Sequence, residues 1–172
     1  MKSTKHFLLL LILCPLFSFS QSEQAALNQE EKAIIAVIEG ETKAHFERDY
    51  ETWSNSFVHA DYYREHRFWE GWKDKVRTTS GWETKLAKNK KRFNGDLPKN
   101  EWNDAKYVRS NINIQVSEAK DMAWVTYHQR AMNLETKEVI GKSLETRIME
   151  KHDGQWKIAF MSYHYFPKEL NN

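Results

Sequence analysis

The 172-residue sequence has a single cysteine, Cys14, which excludes an intrachain disulfide and any zinc site built from cysteines. Only three prolines and no internal repeat or low-complexity tract are found, so nothing marks a linker between two domains. A dominant charge is missing too. The 26 Lys and Arg stand against 24 Asp and Glu, a net +2, without the basic excess expected of a nucleic-acid binder. No His-x-x-x-His pair supplies the helical spacing of a metal site. The apolar run Phe7–Phe17 is eleven residues long, short of the ~20 that span a bilayer.

That run follows Lys2 and Lys5 and precedes the small-x-small triplet Ser18-Phe19-Ser20, so residues 1–20 read as a cleaved secretory signal peptide. A periplasmic or secreted location is expected. The rival reading, a lipid anchor on Cys14, is disfavoured because Leu13 precedes it where a small residue belongs. Cleavage after Ser20 removes Lys2, Lys5 and Cys14, leaving 24 basic residues to balance the 24 acidic ones and no stable membrane anchor. With 40% hydrophobic residues, 13% aromatics and seven tryptophans, residues 21–172 can bury the core of one domain.

Helical spacing of Leu27, Ile34, Val37, Ile38 and Phe46 predicts an amphipathic helix from Gln24 to about Arg48. Asp49 is placed to cap a short second helix carrying Trp53 and Phe57. Ser80-Gly81-Trp82-Glu83 reads as a capping box opening a third helix, which runs through Leu86 to about Phe93. Strands are expected over Asp61–Phe68, Tyr107–Val116, Met122–Met132, Val139–Lys151 and Gln155–Phe166. Asp153-Gly154 is a two-residue hairpin signal, and Glu135–Lys137 turns the preceding pair. The expected class is α+β, three N-terminal helices on a curved antiparallel sheet.

Turn positions give a register. Centring the last hairpin on Asp153-Gly154 sets Arg147 opposite Phe160, Glu145 opposite Ser162 and Ser143 opposite His164. Centring the earlier one between Glu135 and Thr136 sets Trp124 opposite Arg147, Thr126 opposite Glu145 and His128 opposite Ser143. Because side chains alternate across a sheet, one face then carries Trp124, Thr126, His128, Arg130, Ser143, Glu145, Arg147, Phe160, Ser162 and His164. This face is either solvated or the wall of a pocket. The aromatics Trp124, Trp156 and Phe160, which need cover beside convergent polar groups, point to the pocket.

The motifs resemble the NTF2-like, or SnoaL-like, superfamily of cone-shaped domains. The matching residues are Glu31-Lys32-Ala33-Ile34-Ile35, Arg48-Asp49-Tyr50-Glu51-Thr52-Trp53, Ser80-Gly81-Trp82-Glu83 and the hairpin from Leu144 to Ile158. In that hairpin, Glu145-Thr146-Arg147 followed by Asp153-Gly154-Gln155-Trp156 is similar to the association domain of calcium/calmodulin-dependent kinase II. The resemblance implies a deep pocket lined by Arg147, and a dimer formed through the sheet. Enzymes of the superfamily, such as ketosteroid isomerase, scytalone dehydratase, epoxide hydrolases and polyketide cyclases, use acid–base groups inside the cone. No motif aligns their catalytic positions with this chain. Trp69, Trp72, Trp82 and Trp102, in or beside a long connection, either roof the cavity or pack on the helices.

Three function classes follow. The first is an exported domain that binds a small polar or anionic molecule, held by Arg147 and Arg130, whose guanidinium groups match a carboxylate in a forked geometry. Tyr63, Trp124, Ser162 and His45 complete its candidate binding set. The second is a cofactor-free isomerase, dehydratase or hydrolase with Glu145, His128 and His164 as acid–base groups. The third is an interaction or oligomerisation module. Glu145 reads either as a base or as an ion-pair partner of Arg147. The run His59–His66 holds metal-ligand types, but Glu65 and His66 point to opposite faces of a strand, so no metal is expected. Lys85, Lys88, Lys90, Lys91 and Arg92 read as a solvated basic face.

Overall fold

The computed structural model describes residues 27–69 and 76–166. The expected signal peptide and Trp72 fall outside them. The first helix, α1 (Gln29–Glu47), starts later than the apolar spacing predicts because Asn28 stops it. Asn28 accepts from the Glu31 amide at 3.0 Å, and the Glu31 carboxylate accepts from the Asn28 amide at 2.8 Å, a reciprocal cap. Arg48, left-handed with φ 66°, ends it. Asp49 then caps α2 (Tyr50–Asn55) through the Thr52 amide, as expected.

Two strands follow, β1 (Arg64–Trp69) and β2 (Val76–Ser80), and then α3 (Trp82–Phe93). Strand β2 was not legible in the sequence, and it overturns the expected capping box. Ser80 ends β2, while the residue at the helix cap is Gly81, with φ 79° and no side-chain bond. The long hairpins β3 (Ala105–Val116), β4 (Met122–Asn133), β5 (Val139–His152) and β6 (Gln155–Tyr165) complete one six-stranded sheet in the order β2-β1-β6-β5-β4-β3. Its pairings are antiparallel except β1 with β6, which is parallel, so the sheet is mixed rather than wholly antiparallel.

Ile34 and Ile38 of α1, Trp53 of α2 and Phe57 beyond it pack on Val125, Tyr127, Met149, Ile158 and Met161 of the sheet. Trp82 joins this core, tilted against Trp53 with ring centroids 5.5 Å apart. It is therefore core rather than roof. Among the described residues no helix is long and apolar enough to cross a membrane.

Both hairpin registers are right at the turn and slip by one residue beyond it. Asp153 and Gly154 have φ of 50° and 78°, the positive pair that a tight hairpin with strand-matching twist requires. Met149 pairs with Ile158 as expected, but Ile148 then pairs with Phe160, leaving Ala159 as an extra residue on β6. In the other hairpin Met132 pairs with Val139, then Ala131 pairs with Gly141, leaving Ile140 extra on β5. Each β-bulge exchanges the faces of everything beyond it. Glu145 consequently lies opposite Tyr127 and Tyr163, and Arg147 opposite Val125 and Met161.

Candidate functional site

The bulges correct the expected polar face. Trp124, His128, Arg130 and His164 are exposed on the outer face of the sheet. Ser162, also on that face, is covered between His66 and Thr146. Among the expected site residues, Glu145, Arg147 and His45 line a cavity of about 110 Å³ between α1, α3 and the inner face. Tyr63 is fully buried and gives its hydroxyl to Glu65 at 3.2 Å.

Four donors converge on the Glu145 carboxylate. Oε2 accepts from Arg147 Nη2 at 2.7 Å and Tyr127 Oη at 3.0 Å; Oε1 accepts from Ser143 Oγ at 2.7 Å and Gln129 Nε2 at 2.8 Å. A carboxylate so occupied has little lone-pair capacity left to take a substrate proton. Its bond to Arg147 holds the guanidinium in place. That guanidinium also donates from Nη1 to the Thr146 carbonyl at 3.1 Å and lies 4.7 Å from the Tyr163 ring centroid. Arg147 Nε and Gln129 Oε1 are buried and have no hydrogen-bond partner among the described residues.

A second charged group forms the opposite wall. Glu65 of β1 contacts both Lys85 of α3 and Arg67. Burial pushes the Glu65 carboxyl up, but the two cations outweigh it and hold it down to about 2. Burial likewise lowers Lys85, while Glu65 and Glu41 oppose the loss of its charge. The Lys85 ammonium sits 4.7 Å from the Phe57 ring centroid and 5.6 Å from that of Trp53, so its stem and head are both in the core. Lys85 is 3% exposed, which corrects its place in the expected solvated face; Lys90 and Lys91 are exposed as expected.

Helix α1 contributes Glu41 and His45, one turn apart on the Ile34–Ile38 stripe. Glu41 is 4% exposed and forms no ion pair among the described residues, unlike Glu65 and Glu145. Burial raises its carboxyl above the usual range. Burial, with Arg92, Lys85 and Arg67 adding to it, lowers the His45 imidazole well below its ordinary value. Burial thus opposes the charge on both, and in the cavity lining Arg67, Lys85, Lys142 and Arg147 outnumber the carboxylates Glu41 and Glu145. Trp102 closes part of the mouth, its ring packed directly on Gly141. No cluster of three or more metal-ligating side chains occurs among the described residues.

Glu41, Lys85, Arg67 and Gln129 escaped sequence reasoning. A signal existed for two of them: Glu41 interrupts an apolar helix stripe, and Lys85 lies three residues after Trp82 on the buried face of α3. Gln129 and Tyr163 depend on the bulges, which no local pattern announces.

No protein-family model matches the chain, and no curated protein matches its sequence. Solved structures do share its architecture. A protein of unknown function with a cystatin-like fold from Nostoc punctiforme superposes with a TM-score of 0.61 and 17% identity, covering 83% of this chain and 96% of that one. The chain thus has the NTF2-like, or cystatin-like, α+β fold. The CaMKII hub of S. rosetta, 18% identical, covers 78% of this chain and 95% of its own with a TM-score of 0.57. The association domain of C. elegans CaMKII, 19% identical, gives the same TM-score over 78% of this chain and 94% of its own.

Proposed function

We propose that the protein is an exported NTF2-like domain whose cone binds a small carboxylate that also carries a hydrogen-bond donor. One observation carries this reading: Arg147 Nε–H and Gln129 Oε1, a buried donor and a buried acceptor on two residues that line the cavity, have no hydrogen-bond partner among the described residues. An unanswered buried polar group costs about 1–3 kcal/mol, which a ligand oxygen and a ligand hydroxyl or amine would recover. The excess of cations favours an anion. At about 110 Å³ the cavity is smaller than the ~150 Å³ known to hold benzene, so the ligand has about five or six heavy atoms. Steroid-sized and polyketide-sized molecules are too large.

Thermal unfolding with lactate, glycolate and acetate tests the reading, with 1-propanol as the neutral comparison. A hydroxy acid at 100 times its Kd should add ~2.7 kcal/mol of stability. Arg147→Met should abolish that gain while the variant still folds. If no carboxylate stabilises the wild type, the reading is wrong. Export rests on the signal-like residues 1–20, and N-terminal sequencing of envelope-fraction protein should begin at Gln21.

A second reading, homo-oligomerisation through the sheet, is supported by the likeness to CaMKII hub domains and by the outer face. Trp124, Met122 and Leu144 are 51%, 48% and 37% exposed there. Large apolar groups gathered on one face mark contact surfaces. Trp124→Glu should lower the mass measured by light scattering; an unchanged mass would remove this face from the interface.

A further inference from the structure

Beyond the wall formed by Arg67 and Lys85 lies a second cavity, of about 260 Å³, which shares those two residues and His45 with the cone. Its lining comes from β1, β2 and α3, with His45 of α1 and Leu97. Among the described residues, five basic side chains line it, Arg67, Arg77, Lys85, Lys88 and Arg92, with one carboxylate, Glu65. Glu65 is already committed to Lys85, Arg67 and the Tyr63 hydroxyl. The local excess contrasts with a chain whose total charge is only +2.

Lys88 is fixed by the Thr78 carbonyl at 3.2 Å and the Thr79 hydroxyl at 2.9 Å. Arg92 is partly buried and makes no hydrogen bond or ion pair among the described residues. Partial burial, then the nearby Arg48 and Arg67, depress its pKa, the signature of a cation crowded by others. Like charges held in a concave site focus a positive potential that selects an anion.

We propose that this outer cavity is a binding site for the phosphate group of a small organic phosphate, gripped by Arg92 with Lys88 at the rim. A tetrahedral dianion offers more acceptor oxygens than a carboxylate, so the Arg92 guanidinium can fork onto two of them while the remaining Lys88 N–H reaches a third. The volume exceeds the ~150 Å³ that holds benzene, leaving room for the phosphate and its link to the rest of the molecule. The two gripping residues, Arg92 and Lys88, do not line the cone's carboxylate pocket, so the proposal does not require that pocket to bind anything.

Isothermal titration calorimetry of the full chain with inorganic phosphate, at constant ionic strength, tests the proposal. Saturable one-site binding is expected, weakened about tenfold or more by Arg92→Gln and less by Arg92→Lys. Lys91→Gln removes the same charge one residue away, where the side chain is exposed, and should leave the affinity unchanged. If circular dichroism shows Arg92→Gln to be unfolded, Lys88→Gln carries the same expectation. Absence of saturable binding overturns the proposal. Equal weakening by Lys91→Gln and Arg92→Gln overturns it too, because the attraction would then be diffuse surface charge.

Discussion

Arg147 Nη2 lies 2.7 Å from Glu145 Oε2, two positions along one strand, and each side chain is only 1% exposed. Neither charge reaches water, so each is tolerated through the other. Replacing Arg147 by Met should destabilise the fold by about 3–5 kcal/mol in urea unfolding, since it strands a buried carboxylate. Adding Glu145→Gln in that background should recover part of the loss by removing the stranded charge. A single-variant cost below about 1 kcal/mol, the range of exposed pairs, would contradict this account.

Glu65 and Glu41 should bend the pH dependence of stability in opposite directions. The Glu65 carboxyl falls from 4.5 to about 2 on folding, so its contribution is present above pH 4.5 and lost as the pH falls toward 2. Glu65→Gln should therefore cost stability at pH 7, on the order of 3 kcal/mol from the linkage alone, and progressively less toward pH 2. Glu41 has a raised carboxyl, so its favourable neutral state is complete below 4.5 and lost as the pH rises through the folded value. Glu41→Gln should then match the wild type at pH 4 and exceed it at pH 8. Parallel curves for the two variants would show that one of these electrostatic assignments is wrong.

Gly141 and Trp102 are in such close contact that a Cβ at residue 141 would overlap the indole ring. Gly141→Ala should displace Trp102 from the cavity mouth at a cost of about 1–3 kcal/mol, typical of overpacking. Iodide quenching of tryptophan fluorescence should rise relative to wild type. Unchanged quenching would mean that the ring stays seated and the strand yields instead.

The helices were largely legible in the sequence, because their apolar positions recur at helical spacing and Asp49 is a strong cap. The hairpins were legible through Asp153-Gly154, whose residue types suit the positive φ that the turn demands. What escaped was the phase of the strands beyond each turn. Ala159 and Ile140 look like ordinary strand residues, yet each adds a position that its neighbour strand does not match. Glu145 and Arg147 remain on the cavity side because their own strand is the reference for both hairpins. Trp124, His128, Arg130, Ser162 and His164 change sides because they lie across a bulge from it. Lys85 was misread for a different reason: its charge hid a buried stem and head, whose contacts come from distant strands.

The extra residue at Ala159 also bears on how such a cone changes over generations. If the strand paired straight through with its length and the Asp153-Gly154 turn kept, Met161, Tyr163 and Tyr165 would turn outward and Ser162 and His164 would come in, whereas deleting Ala159 would leave their pairing as it is. A substitution that flattened the bulge would thereby rewrite two lining positions, Tyr163 and Tyr165, and the core position Met161 together, where substitution in place would have to alter them one at a time. A bulge thus acts as a spatial reading frame, giving this architecture a short route between unrelated interiors.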